Sequence, residues 1–267
     1  MTEWWRQLKG RPFYWVLDGT NPAADLFMLR HVVGRPESAR VLRAARLALQ
    51  ESPEVLALKE GLARGEDALW TLRLLAEVGV AGDDERLAES LDRLLDEETT
   101  SPAILLHIVL AFGFQEDARV QHLLHAAQAR LRGPASADKQ ADWLTLVAMA
   151  LAEQPAVYRD TEIAHLLGQQ LQCLSLDELP RYHQYTFPTF DQPDALILAR
   201  SALRLGLVGA WLEPWIERIV AAQDEQGMWH LDGTLPTPGT IHWEEAGQPS
   251  RWVTGQALYI LREFYGE

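Results

Sequence analysis

The feature that most constrains the fold of this chain is a two-helix pattern that recurs along it. In each copy an apolar stretch with helical periodicity is followed by a short turn around Gly or Pro and then by an amphipathic stretch. The four copies that align with one another are residues 70–98, 104–131, 144–172 and 196–223. A helix that is apolar nearly all round must be buried on most sides, whereas one with a single apolar stripe lies outside. The pattern therefore predicts buried inner helices that alternate with outer helices, as in a repeat array or a closed toroid.

Two further stretches continue the pattern in both directions. Residues 21–33 and 36–50 indicate an earlier hairpin, in which Asn21 stands at the N-cap and Pro22 at the first helical position. Residues 250–264 indicate an inner helix with no outer helix after it. An open solenoid would need a polar capping repeat there, so this favours a ring in which the last inner helix docks on the first hairpin.

We therefore predict an all-α fold, an α/α toroid of about five to six helical hairpins. Residues 21–265 would form the repeats, residues 1–20 an N-terminal extension, and residues 1–267 one domain. Three of the inner stretches begin with Trp, at Trp70, Trp143 and Trp252. Because all inner helices of such a ring start at the same mouth, these aromatic residues should gather there.

Charge and cysteine content exclude several classes of function. The net charge of −14 is dispersed without a basic stripe, which argues against nucleic acid and anionic membrane as partners. The single cysteine, Cys173, rules out an internal disulfide framework and a thiolate zinc cluster. His122 and His125 lie on an outer-type helix and are interpreted as a solvated or packed pair. With no signal peptide and no membrane span evident, we expect a cytoplasmic protein without metal or cofactor.

The stretch QDEQGMW, residues 223–229, has the spacing Q-x-x-x-G-x-W after an outer helix. Gln223 could satisfy carbonyl groups at the end of its helix or N–H groups of the next element. Gly227 permits a left-handed turn, and Trp229 could cover that turn. The stretch is therefore predicted to fasten one repeat to the next.

This spacing, together with the repeated hairpins, resembles the QW repeat of squalene and oxidosqualene cyclases, whose α/α toroid is shared by protein prenyltransferase β subunits. The pattern covers roughly residues 20–265, with one clean QW copy. The resemblance implies a terpene cyclase- or prenyltransferase-like protein. Such a protein would bind an apolar ligand, for example an isoprenoid, in an aromatic-lined central cavity. The ligand-binding residues expected on this basis are Trp70, Trp143, Trp229, Trp243, Trp252 and His183.

The motif that supplies the acid for cyclase chemistry is incomplete in this sequence. The cyclases carry D-x-D-D at the start of an inner helix, and here Asp191 and Asp194 match the outer aspartates while Pro193 replaces the proton donor. The same residues also fit a turn and a helix start. Prenyltransferase-type zinc ligands and the diphosphate-binding D-D-x-x-D are absent, and Asp83–Asp84 fits a turn before a helix. Whether the protein is an enzyme therefore stays open.

A long polar loop precedes the last inner helix and supplies the remaining candidates. Loops of this length in compact domains are often functional, and a His–carboxylate set could act as acid and base. The candidate catalytic residues are thus Asp191, Asp194, His230, His242, Glu244 and Glu245. Two alternatives remain open. One is a noncatalytic scaffold that binds a protein partner; the other is a carbohydrate-active toroid, in which Trp platforms stack sugars and two carboxylates do the chemistry.

Overall fold

A computed structural model describes residues 4–80, 85–97, 101–133, 137–234 and 243–266, and within these ranges the protein is all-helical. The α-helices are α1 (Phe13–Val16), α2 (Pro22–Phe27), α3 (Arg40–Gln50), α4 (Pro53–Ala63), α5 (Ala68–Glu77), α6 (Glu85–Asp96), α7 (Pro102–Ala111), α8 (Ala118–Leu131), α9 (Ala137–Ala152), α10 (Pro155–Tyr158), α11 (Glu162–Leu171), α12 (Ala195–Arg204), α13 (Glu213–Ala221) and α14 (Arg251–Tyr265). Short 3-10 helices cover Trp4–Gln7, Leu176–Glu178 and Pro180–His183, and a π-helical turn covers Met28–Val32.

The inner helices contact one another in the order expected of a ring of hairpins. Helix α5 contacts α7, α7 contacts α9, α9 contacts α12, and α12 contacts α14. Helix α14 contacts α2 and the π-helical turn, so the predicted docking of the last inner helix on the first hairpin is present. The turn after α5 lies beside Leu26 and Arg30, which brings α2 close to α5.

The outer helices pack against this inner set as their single apolar stripes require. Helix α3 packs on α2, α6 on α5 and α7, α8 on α7, α11 on α8 and α9, and α13 on α12. Helix α4, which contacts α5 and α6, is an additional element that the hairpin pattern did not indicate. Among the described residues, no helix is both long and apolar enough to cross a bilayer.

Polar side chains at the N-caps define where inner helices begin. The Asn21 side chain accepts hydrogen bonds from two backbone N–H groups of α2, at Ala23 and Ala24, as its position before Pro22 predicted. Asp67, Asp194 and Ser250 cap α5, α12 and α14 in the same way. Each cap satisfies an N–H group that has no partner within its own helix.

The QW stretch fastens the end of α13 to the N-terminal segment. Gln223 Nε2 donates to the carbonyl of Val220 at the end of α13 and to that of Gln7, and Gln223 Oε1 accepts from the N–H of Lys9. Gly227 has a φ of 79°, as the turn requires. Trp229 is fully buried, and its indole N–H donates to the Ile219 carbonyl at 2.7 Å. The stretch thus joins α13 to a segment more than 200 residues earlier, rather than only to the next repeat.

Candidate functional site

A loop fills the end of the helical assembly at which the inner helices begin. It runs from residue 184 to Asp194, and its Phe187 and Phe190 side chains contact Trp252 and Trp70, two of the three tryptophans predicted to gather there. Phe190 packs edge-on against Trp70, with ring centroids 4.2 Å apart. Phe187 lies 5.3 Å from Trp252 and 5.7 Å from Trp243. These three tryptophans are therefore covered by the chain's own phenylalanines at this end.

The other predicted ligand-binding aromatics have different surroundings. Trp229 is enclosed within the QW turn, and Trp143 lies half-buried under the guanidinium of Arg130, 4.1 Å from its ring centroid. His183 is half-buried at the end of a 3-10 helix. Of the six residues predicted to bind ligand, only Trp252 belongs to the lining of the central cavity described below.

The predicted acid–base residues are divided among separate networks. Glu244 accepts from the Asn21 side chain at 2.8 Å, from the Trp252 N–H at 2.9 Å and from the Ser250 hydroxyl, so it ties its loop to the starts of α2 and α14. His230 pairs with Asp224 of the QW turn at 3.0 Å. These contacts are structural ones within the loop and the turn.

The remaining candidates lie apart from those two networks. Asp191 is exposed in the turn that follows Phe190, and Glu245 is exposed as well. Asp194 is buried as the N-cap of α12, and burial raises the pKa of its carboxyl to about 7. His242 and the pair Asp83–Asp84 lie outside the described residues.

A cavity of about 250 Å³ opens in the centre of the inner helices, mostly between their C-terminal halves. Its lining combines ionisable residues from several helices with a smaller apolar share. The ionisable residues are Arg30, His31, Glu37, Glu77, His107, Glu153, Arg200 and Arg204, and the others are Leu26, Phe27, Ala76, Val78, Gly79, Ala111 and Trp252. Charged groups so deep in a helical core need partners or a ligand, because burial of an unpaired charge is costly.

Beneath this cavity, a buried ion pair is joined to the loop that fills the opposite end. Arg73 Nη1 lies 3.1 Å from Glu77 Oε2, and Arg73 Nη2 donates to the hydroxyl of Thr189 at 3.0 Å. The same hydroxyl donates to Glu77 Oε1 at 3.0 Å. Burial lowers the pKa of Arg73, although the Glu77 carboxylate opposes that effect. The pair is therefore satisfied internally and connects the cavity wall to the loop.

The two histidines of the cavity are neutral at pH 7. Burial lowers the pKa of His107 to about 4 and that of His31 to about 3, and nearby arginine charges act in the same direction. His107 Nε2 lies 3.5 Å from the carboxylate of Glu153. Burial by itself would raise the pKa of Glu153, but the His107 contact and the charges of Arg204 and Arg200 outweigh it and hold that pKa below its usual range.

Two arginines of α12 lack a direct anionic partner. Arg200 and Arg204 are four residues apart, so they lie on one face of the helix, and both line the cavity. Among the described residues, neither guanidinium makes a hydrogen bond or an ion pair, and Arg200 is only 6% exposed. Arg30, in contrast, pairs with Glu37 at 3.0 Å. The cavity therefore holds two positive groups whose hydrogen-bonding capacity is unused.

The π-helical turn Met28–Val32 presents a further part of this wall. Its register is wider than that of an α-helix, as the hydrogen bond from Val33 N to Met28 O at 2.8 Å shows. It places Arg30 and His31 in the cavity lining. Single π-turns within helices occur frequently at functional sites, which agrees with a site here.

No known protein family, curated protein or solved structure matches the chain. The resemblance to squalene cyclases and prenyltransferases thus rests on the hairpin pattern and the single QW stretch. The site has to be interpreted from its own residues.

Sequence reasoning missed this cavity, although a signal was present. Arg73, His107 and Arg200 each stand alone within an otherwise apolar inner stretch, as in TLRLL, LLHIV and LARSAL. A single ionisable residue in a helix that must be buried on most sides calls for a partner or a ligand. The aromatic residues and the D-x-D-D spacing lie at the opposite end of the inner helices.

Proposed function

We propose that this protein binds a small anion, through a carboxylate or phosphate group, in the central cavity among α2, the π-helical turn, α5, α7, α12 and α14. The observation that carries the proposal is the buried guanidinium of Arg200, which lines the cavity without a partner among the described residues. A planar guanidinium presents a fork of N–H donors that matches the two oxygens of a carboxylate or phosphate.

Energetics support an anion at this position. An unpaired buried charge costs several kcal/mol, on the order of 3–5. Arg200 and Arg204 are close neighbours on one helix face, and their mutual repulsion adds to that cost. A bound anion would offset what the nearby charges of Glu153 and Glu77, which make no hydrogen bond or ion pair with Arg200, leave uncompensated.

The lining fits a wholly apolar ligand less well. An isoprenoid or polyene would leave the arginines desolvated and unpaired, and tryptophans at the other end are covered by Phe187 and Phe190. A prenyl diphosphate would still present an anionic head to the same arginines. Three hypotheses remain predictions: an isoprenoid ligand, a protein partner and a carbohydrate-active protein. Whether the protein is a catalyst remains open.

The test is isothermal titration of the purified protein with a panel of phosphate, sulfate, acetate, benzoate and geranyl diphosphate. We expect at least one anion to bind and to raise the unfolding temperature. Arg200→Gln should weaken that binding ~10-fold or more, because a charged hydrogen bond is worth about 1.5–3 kcal/mol.

Arg132→Gln is the matched control, because Arg132 is exposed and pairs with Glu162 on the outer surface. It should leave anion binding unchanged. Without ligand, Arg200→Gln should unfold at the same temperature as the wild type or higher, since it removes an unpaired buried charge. Equal anion affinity in wild type and Arg200→Gln would show that the cavity is not the binding site.

A further inference from the structure

We infer that the anion is an organic acid with an apolar body, not an inorganic ion. This inference rests on the proposed function and names the ligand class of the same site. One part of the cavity wall is charged, with arginines and glutamates together, and another part is apolar or aromatic. The two parts meet at Phe27 and Arg200.

The aromatic wall is built next to the unpaired guanidinium. Arg200 Cζ lies 5.7 Å from the ring centroid of Phe27, and Phe27 lies edge-on to Trp252 with centroids 5.6 Å apart. An anion that takes the N–H fork of Arg200 would place its attached group beside these rings. An aromatic or aliphatic body there would bury apolar surface against Phe27 and Trp252.

The cavity is also larger than the volume of a simple inorganic ion. A volume of about 250 Å³ holds roughly eight waters at ~30 Å³ each, while one phosphate or sulfate displaces only part of them. Part of the remaining water would face apolar side chains such as Leu26, Val78 and Ala111, where it finds few hydrogen-bond partners. An apolar body would release that water.

A polar group of the wall is also unused. The indole N–H of Trp252 is buried and has no hydrogen-bond partner among the described residues. Trp252 belongs to the cavity lining, so an acceptor on the ligand, such as a second carboxylate oxygen or a ring oxygen, could face it.

The experiment compares affinities along a series: acetate, butyrate, hexanoate, benzoate and phenylacetate, against phosphate and sulfate. We expect each added methylene to tighten binding about fourfold until the cavity is full. The two inorganic anions should bind no more tightly than acetate. Phosphate or sulfate binding as tightly as the best organic acid would overturn this inference and leave the anion site intact. No binding of any anion would overturn both.

Phe27→Leu and Trp252→Phe test the wall directly. Each should flatten the dependence of affinity on chain length, so that the ratio of hexanoate affinity to acetate affinity falls relative to the wild type. Phe264→Leu is the control, because Phe264 is half-buried near the end of α14 and outside the cavity lining. Unchanged dependence on chain length in both folded wall variants would contradict the inference. The series on the wild-type protein decides the question if either variant fails to fold.

Discussion

At the scale of single residues, Asp194 shows how one position satisfies two interpretations of the sequence. Its spacing from Asp191 matched the acid motif of the cyclases, and its place before α12 matched a helix start. In the structure it is the N-cap, with Oδ1 accepting from the N–H of Ile197 at 2.9 Å. Burial nevertheless gives it an unusual acidity, because the charged form loses solvation.

The first prediction concerns the pH dependence of stability at Asp194. A pKa of about 7 in the folded protein, against 3.8 for the free group, means that the folded state holds this proton more tightly. The contribution of the Asp194 carboxyl to the free energy of unfolding is therefore fully present below about pH 4, and it is lost as the pH rises through 7. Asp194→Asn keeps a capping oxygen and stays neutral throughout.

Relative to the wild type, the Asp194→Asn protein should gain stability between pH 4 and pH 8, by up to ~4 kcal/mol. Urea denaturation at several pH values measures this difference. Asp67→Asn makes the same chemical change at an exposed N-cap and serves as the control. A constant difference between wild type and Asp194→Asn over this range would contradict the prediction. Since Asp194 is outside the cavity lining, anion affinity at fixed pH should not change.

At the scale of elements, the loop before α12 is held by contacts that its own sequence does not reveal. Thr189 N–H and hydroxyl both donate to Glu77, and the hydroxyl also accepts from Arg73. Phe190 adopts a φ of 41°, unusual for a residue with a side chain, while its ring packs on Trp70. The loop is thus fixed by α5, more than 100 residues earlier.

The second prediction tests this attachment. Thr189→Val keeps the shape of the side chain but removes the hydroxyl, so Arg73 and Glu77 each lose a buried hydrogen bond. We expect a loss of about 1–3 kcal/mol in the free energy of unfolding.

Thr189→Ser retains the hydroxyl and should stay closer to the wild type. Denaturant titration of both variants distinguishes the hydroxyl contacts from general packing. Equal stability of Thr189→Val and the wild type would show that the loop is held by its aromatic residues alone.

At the scale of the whole molecule, the N-terminal segment closes against the QW turn. Gly10 and Gly227 lie back to back: a Cβ on Gly10 would be 1.8 Å from the carbonyl oxygen of Gln226, and one on Gly227 would be 2.7 Å from Gly10 N. The two backbones therefore approach too closely for any side chain. This contact and the Gln223 hydrogen bonds hold residues near 7–10 to the end of α13.

The third prediction follows from that close approach. Gly10→Ala should destabilise the protein by about 1–3 kcal/mol, because the obstructing atoms are backbone and cannot move aside cheaply. Hydrogen exchange should show the effect first in the N-terminal segment and the QW turn. Gly233→Ala is the control, since its added Cβ would meet only ordinary contact with Thr186 at 3.7 Å. Similar stability of the two variants would mean that the segment is not fastened there.

Much of the helical architecture could be predicted from the sequence because its causes are local. Apolar periodicity specified inner and outer helices, Asn21 and Pro22 specified the start of α2, and Gly227 specified a left-handed turn. Each of these signals acts over a few residues. The additional helix α4 and the π-helical turn gave no comparable signal and were not anticipated.

The candidate site was decided by tertiary structure alone. Local rules indicated that Arg73, His107 and Arg200 lay on buried helices, but not that they would face a common centre or which would find a partner. Arg73 contacts Thr189, 116 positions away, and that contact together with Glu77 satisfies its guanidinium. Among the described residues, Arg200 makes no hydrogen bond or ion pair with a carboxylate. Which charge remains unpaired depends on distances between helices that are far apart in the chain, and those distances are set by packing, not by periodicity.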